Sequence, residues 1–320
     1  MTIQQLDYAI KLAHFQSYKR AAQELGISQP ALSMQIQKLE EELSLVLFDR
    51  TRKKVEVTEK GQLILQKATI LLNEANQIHQ LAHRLHNEMS GELNIGIIPT
   101  LAPYLVPLFI NQLNNTFDRL KINIKEALTE EIIHDLKVGT LDGGIISTPI
   151  RSSYHFQTQP LFYEGFKVFV SPLHALYAKD EVDISEISMK DVWLLKEGNC
   201  FRDQVNNICE LNGAKKEKES QELFYFESNS IESLSRIVEF KGGITFLPEL
   251  TTLHISVEKE DMIKELAGDK KMREISLINL PNHVRAEDMQ AFAEVIKRNI
   301  PRHLLNKGNG QTVPTNVDIN

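Results

Sequence analysis

Residues 21–43 read AAQELGISQPALSMQIQKLEEEL, and their punctuation decides how the first part of the chain folds. Ala21, Ala22 and Leu25 share one helical face behind Ser17, whose hydroxyl suits a helix N-cap, and Gly26 ends that helix. Ser28 caps the next helix, with Pro30 in its first turn, where a missing N–H costs nothing. Leu32, Ile36, Leu39 and Leu43 form its inward stripe. So short a turn between two capped helices is helix-turn-helix geometry, with Gln29 to about Leu43 as the recognition helix. Upstream, Thr2 and Gln5 read as a capping box ahead of Leu6, Ala9, Ile10 and Ala13. The outer face carries Gln29, Pro30, Ser33, Met34, Gln37 and Lys38, whose small and amide side chains can approach base edges. Downstream, Asp49-Arg50-Thr51-Arg52-Lys53-Lys54-Val55-Glu56-Val57-Thr58 reads as a wing, with Arg50, Arg52, Lys53 and Lys54 as phosphate contacts. Spacing alone leaves a second reading open, in which three helices and a charged hairpin make only a small structural domain.

Composition frames the rest. The 320 residues carry a net charge of −7, yet residues 1–60 hold nine Lys/Arg against eight Asp/Glu. The excess acid therefore lies beyond the first unit, as expected of a DNA reader joined to an acidic effector region. No run of about 18 apolar residues offers a membrane span. The first residues, MTIQQLDYAIK, lack a signal-peptide layout, so a cytoplasmic protein is expected. Two cysteines, Cys200 and Cys209, are too few for a disulfide scaffold and leave either inert thiols or a redox pair.

From about Glu59 to Asn87, Ile64, Ala68, Leu71, Ala75, Ile78, Ala82 and Leu85 alternate spacings of four and three. That is a coiled-coil seam on a helix roughly 40 Å long, and it predicts a homodimer. His79, His83 and His86 read as a solvated face, with no metal site expected. Ser90-Gly91 marks a hinge. Beyond it, strands at Glu92–Pro99, Lys121–Ala127 and Asp142–Ile146 alternate with helices from Thr100 to about Asn115 and at Thr129–Val138. The pattern repeats with strands at Phe166–Val170, Val192–Leu195, Leu223–Phe226 and Ile244–Leu247, and helices at Phe201–Asn212 and Ile231–Phe240. A late strand at Ile275–Asn279 and a helix at Ala286–Asn299 complete an α/β region with parallel strands, and the polar tail is expected to be disordered. Thr100 and Thr129 stand where helices begin, and capping is their plainer role.

Cys200 falls at a helix start with Arg202 two residues away, and both features favour a thiolate. Cys209 lies on the buried stripe with Val205 and Ile208. Nine helical residues span roughly 13–14 Å, whereas disulfide-bonded Cα atoms lie within roughly 7 Å. Either the pair never bridges, or bridging unwinds the segment.

The run Ala21-Ala22, Leu25, Ser28-Gln29-Pro30-Ala31-Leu32-Ser33, Ile36, Leu39-Glu40, Leu43, Leu47-Phe48, Arg50, Thr58, Gly61 resembles the winged helix-turn-helix of LysR-type regulators, without gaps. The resemblance implies an all-α DNA-binding domain at 1–58 and a dimerising linker helix at 59–90. An α/β effector domain follows at 91–301, made of two Rossmann-like subdomains similar to periplasmic binding proteins. Subdomain I takes about 91–163 and 268–301, subdomain II about 164–267, and 302–320 is the tail.

Gly198, Cys200, Arg202-Asp203-Gln204 and Cys209 resemble the signature of peroxide-sensing members of that family. So do Gly91–Thr100, Pro103-Tyr104, Glu126-Ala127 with Thr129, and Gly242-Gly243-Ile244-Thr245 with Leu247-Pro248. This resemblance implies that Cys200 is the peroxidatic thiol and Cys209 the resolving one, with Thr100, Thr129, Asn199, Arg202, Asp203 and Arg273 around the peroxide. Asn199 stands where those relatives carry His, and an amide cannot carry charge. The implied partners are palindromic double-stranded DNA, hydrogen peroxide as signal, RNA polymerase and a thiol reductant for resetting. The implied protein is a homotetrameric activator of oxidative-stress genes, with no cofactor and no enzymatic role. Two other readings stand beside it: a LysR regulator that answers a small organic anion, its thiols incidental, and a thiol peroxidase.

Overall fold

A computed structural model describes the chain apart from residues 50–53, 86–90, 153–154, 212–225, 282 and 320. It gives backbone alone at 76, 79–80, 83–85, 114–115, 152, 210–211 and 318–319. Two compact units emerge, residues 1–90 with 137–140, and residues 91–136 with 141–320.

The first unit runs α1 (Ile3–Phe15), α2 (Tyr18–Glu24), α3 (Gln29–Leu43), β1 (Phe48–Asp49), β2 (Glu56–Val57) and α4 (Glu59–Leu85). Its helix starts follow the capping signals. The Thr2 hydroxyl accepts the Gln5 N–H while the Gln5 amide oxygen accepts the Thr2 N–H, and Ser17 and Ser28 accept from Arg20 and Ala31. Leu32, Ile36 and Leu39 of α3 pack on Leu6, Ala9, Leu12, Ala21 and Ala22. The Glu40 carboxylate ties α3 to β1 by accepting the N–H groups of Leu47 and Phe48 at 2.7 and 3.1 Å. Gly61 is required by contact, because a Cβ there would stand 2.3 Å from the Leu47 carbonyl oxygen. On α4, Ala68 is buried, whereas Leu71 and Ile78 of the seam are 40% and 69% exposed. The side chains of His79 and His83, and all of His86, lie outside the described residues.

The second unit comprises β3 (Gly91–Ile97), α5 (Ala102–Thr116), β4 (Leu120–Glu126), α6 (Thr129–Val138), β5 (Gly143–Thr148), β6 (Arg151–Ser152), β7 (Gln157–Val170), β8 (Glu181–Val182) and β9 (Val192–Trp193). It continues with α7 (Cys200–Leu211), α8 (Ile231–Lys241), β10 (Ile244–Pro248), β11 (Ile263–Leu266), β12 (Lys271–Asn279), α9 (Ala286–Asn299), β13 (Gln311–Thr312) and β14 (Asp318–Ile319). The main sheet orders its strands β4-β3-β5-β12-β7-β10-β9. It is mixed, not parallel throughout. β3 runs parallel to β4 and β5, but β12 is antiparallel to β5 and β7, and β7 is antiparallel to β10 and β11.

The long β7 starts nine residues before the strand expected from the sequence. Pro160 masks it there. That proline faces a register shift at Ile275/Ser276, a bulge of the kind where a strand tolerates proline. β7 also joins two hydrophobic cores. Phe162 belongs to the first, with Ile95, Ile145, Phe109 and Phe292, and Phe166 to the second, with Val168, Val205, Val238 and Phe246.

Other expectations shift. The strand at 192 ends at Trp193, and residues 223–225 of the expected Leu223–Phe226 strand lie outside the described residues. The disordered tail is corrected outright. β13 pairs in parallel with β12 and β14 with β6, while Val313, Thr315 and Val317 are buried. Their every-second-residue spacing turns one face inward, so a stretch polar in composition still seals apolar surface.

Candidate functional site

Cys200 is the first residue of α7, and Cys209 lies on the same unbroken helix, so their Cα atoms stand roughly 13–14 Å apart. Both thiols are buried and neither is in a disulfide. They also occupy different surroundings. Cys200 packs in the first core and Cys209 in the second, beside Val205 and Ile208.

The sulfur of Cys200 accepts a hydrogen bond from the Thr129 hydroxyl at 3.6 Å. Nearby, the Arg273 guanidinium on β12 is held from three sides. It donates to Thr100 Oγ1 at 3.0 Å, to the Thr100 carbonyl at 3.5 Å, and through Nε to Glu164 Oε1 at 2.9 Å. Arg273 and Glu164 are fully enclosed. The Phe201 ring lies 5.0 Å beneath the guanidinium and stacks on Phe166. Burial pushes the Cys200 thiol above its ordinary range; the Thr129 hydrogen bond and the Arg273 charge pull it back, and Asp203 opposes them. Burial likewise pushes the Glu164 carboxyl up, against the pull of Arg273 and the Leu250 N–H. A buried cation beside a buried sulfur can hold a small polar, oxygen-bearing molecule and stabilise a developing anion.

The cation that acts on Cys200 is therefore Arg273, not the neighbouring Arg202. Arg202 turns away, donating to the Leu195 carbonyl at 2.9 Å and pairing with Glu197 at 3.6 Å. The helix start does not make Cys200 a ready thiolate either, because desolvation outweighs it. Thr100 is no cap: α5 begins at Ala102, and Leu101 before it makes no side-chain capping bond. Asn199 is buried, but its amide donates to the Lys196 carbonyl and Asn229 Oδ1, both at 2.9 Å, which braces the loop before α7. Asp203 is half-buried, and burial raises its carboxyl against the pull of Arg202. The fold thus gathers Thr100, Thr129, Cys200 and Arg273, and spreads Asn199, Arg202 and Asp203 around the helix start.

In the first unit, Gln29, Pro30, Met34, Gln37 and Lys38 are exposed along α3, Ser33 is half-buried, and Lys54 of the expected wing is exposed. Gln37 donates to Glu41 at 2.9 Å, so one base-reading candidate is engaged within its own helix. Arg50, Arg52 and Lys53 lie outside the described residues.

Residues 3–62 match the family model described as a bacterial regulatory helix-turn-helix protein of the lysR family, and residues 86–301 match the LysR substrate binding domain. The chain belongs to the LysR family. A "Hydrogen peroxide-inducible genes activator" of Haemophilus influenzae is 33% identical over 281 residues, covering 88% of this chain and 91% of that protein. The "DNA-binding transcriptional dual regulator OxyR" of Escherichia coli K12 is 32% identical, covering 95% of this chain and 97% of its own. A full-length OxyR variant of Pseudomonas aeruginosa superposes with a TM-score of 0.73 at 29% identity, covering 94% of this chain and 98% of its own.

In this LysR-family chain, sequence reasoning missed Glu164 and Ser147, and it quoted Gln204 only within the family signature, with no role. Glu164 left a signal, being the lone acid in the apolar run LFYEGF at 161–166, where a buried carboxylate demands a cation. Gln204 is wholly buried, accepting from Ser147 Oγ at 3.3 Å and donating to the Val313 carbonyl at 2.8 Å. Nothing local announced those bonds.

Proposed function

We propose that this LysR-family chain is a DNA-binding transcription regulator switched by hydrogen peroxide through Cys200 and Cys209. The observation that carries the reading is the buried Cys200 sulfur bonded by Thr129, with the Arg273 guanidinium anchored beside it by Thr100 and Glu164. The relatives named for peroxide-inducible activation support it.

In the first step the Cys200 thiol gives up its proton and its sulfur attacks one peroxide oxygen. An S–O bond forms as the O–O bond breaks, and the departing hydroxide takes the proton and leaves as water. Thr129 and Arg273 stabilise the sulfur anion and the departing oxygen, while Thr100 and Glu164 hold Arg273 in place. In the second step the Cys209 sulfur attacks the sulfenic sulfur. The S–S bond forms, the S–O bond breaks, and hydroxide leaves with the Cys209 proton as a second water. The separation along α7 requires that the helix unwind before this step, so chemistry is coupled to a conformational switch.

Signal output follows from pairing. The exposed seam residues Leu71 and Ile78 suit a second α4, and the resulting dimer would set two recognition helices on a palindromic site. Further roles complete the reading: pairing of dimers into tetramers, contact with RNA polymerase, action in the cytoplasm and resetting by a thiol reductant.

The test is stoichiometric peroxide on the full chain, with thiol counting, peptide mass and footprinting on promoter DNA. Loss of both thiols within one chain, a Cys200–Cys209 peptide and an altered footprint are expected, all abolished by Cys200→Ser. Two surviving thiols at stoichiometric peroxide would overturn the proposal.

A further inference from the structure

The segment 311–319 lies across the helix that carries both cysteines, beyond residue 301 where the family match ends. It is held at its ends by strand pairing. Lys271 and Met272 of β12 pair with Gln311 and Thr312, and Arg151 and Ser152 of β6 pair with Asp318 and Ile319. Between those ends, the Thr315 hydroxyl donates to the Pro149 carbonyl at 2.7 Å. Val313 enters the core that holds Cys209, and Val317 enters the core that holds Cys200. The segment thus staples both cores together over α7.

Two α7 side chains grip it. Gln204 donates to the Val313 carbonyl at 2.8 Å, and its own oxygen accepts from Ser147 on β5. Asn207 donates to the Pro314 carbonyl at 3.2 Å and to Asn316 Oδ1 at 3.1 Å, and its own oxygen accepts from Asn316 Nδ2 at 3.3 Å. Positions 204 and 207 both lie inside the stretch bounded by Cys200 and Cys209. Unwinding that stretch far enough to join the sulfurs carries Gln204 and Asn207 off their helical positions, and these contacts cannot survive it. By linkage, a segment that binds intact α7 and not unwound α7 opposes the disulfide by the same factor with which the disulfide expels the segment.

We infer that residues 311–319 are a latch on the redox helix, gripped by Gln204 and Asn207, which holds the cysteines apart and sets how readily peroxide switches the protein. The latch rests on the peroxide reading above for its trigger, but its grip on α7 is a property of the reduced chain alone. Asn207→Ala removes three hydrogen bonds at a half-buried position and leaves the cysteine pocket intact. All three are exposed, so each shifts the equilibrium by about twofold, and helix opening rises about tenfold. Ending the chain at Gly310 removes the whole latch and raises opening further.

The experiment compares wild type, N207A and the chain ending at Gly310, all reduced, by amide hydrogen exchange of α7 without peroxide. The rate of disulfide formation is then followed after peroxide by thiol trapping and mass. Circular dichroism confirms that each variant folds, and N207A keeps the test usable if the shortened chain does not. Faster α7 exchange and faster disulfide formation in N207A, with new exchange in residues 311–319 of oxidised wild type, support the latch. Unchanged α7 exchange, or a wild-type rate of disulfide formation in N207A, overturns it. A wild type that never forms the disulfide overturns the trigger and the latch's regulatory role together, and is distinguished because wild type itself then fails.

Discussion

Replacing Thr129 with Val removes the hydroxyl that donates to Cys200 Sγ at 3.6 Å and keeps the shape of the side chain. That bond is the largest of the influences holding the thiol down against burial. A hydrogen bond to an ionised acceptor contributes about 1.5–3 kcal/mol, and a contact this long to sulfur belongs at the low end. At about 1.4 kcal/mol per factor of ten, the loss raises the thiol further and lowers its thiolate population about tenfold. The wild-type thiol already sits above its ordinary range, so at neutral pH it is mostly protonated. Its thiolate fraction then grows about tenfold per pH unit until the pKa is reached. Thr129→Val therefore moves the rate profile to higher pH and slows oxidation about tenfold wherever the thiol is mostly protonated. The assay is the second-order rate of thiol loss with peroxide between pH 6 and 9, trapped with an alkylating reagent. Thr129→Ser, which keeps a hydroxyl, serves as the control and stays near wild type. A wild-type rate in Thr129→Val, or a wild-type profile flat above pH 6, would refute the reasoning, since either means the sulfur is ionised without Thr129.

Glu164→Gln leaves the enclosed Arg273 without its counter-charge and is expected to destabilise the effector unit by about 3–5 kcal/mol in urea melts. Adding Arg273→Met to it should recover much of that loss while abolishing the peroxide response. Gly61→Ala drives a Cβ into the Leu47 carbonyl and should cost about 1–3 kcal/mol of DNA-binding-unit stability, read by thermal melting and operator affinity. Lys38→Ala and Lys54→Ala should each lower the slope of log affinity against log salt by about one, an effect independent of DNA sequence. Ile78→Glu places charge on the open seam of α4 and should shift the chain toward monomer in sedimentation, with operator affinity falling in parallel.

Local signals carried the first unit. Ser28 and Pro30 set where α3 starts, because capping and the fixed proline backbone act within one turn, and Thr2, Ser17 and Gly26 set its neighbours for the same reason. The α6 and α9 bounds, Thr129–Val138 and Ala286–Asn299, were legible too. So was the cysteine mismatch, since helical rise alone separates positions nine apart.

The pocket was not local. Arg273 meets Glu164 across 109 positions because β12 runs antiparallel beside β7, and it meets Thr100 across 173 because β5 lies between β12 and β3, the strand that leads to Thr100. Arg202 looked like the thiol's cation because it is close in the chain, yet backbone geometry turns it to the Leu195 carbonyl. The segment 311–319 shows the same limit, since composition reads it as solvated while strand pairing makes its alternate residues part of two cores. The sequence by itself determined helix ends, the recognition helix and the spacing of the thiols, because those depend on neighbours within a turn or two. Tertiary structure alone decided which cation faces the sulfur, what balances that cation and what grips α7, because each depends on strand order and register, which no short window contains.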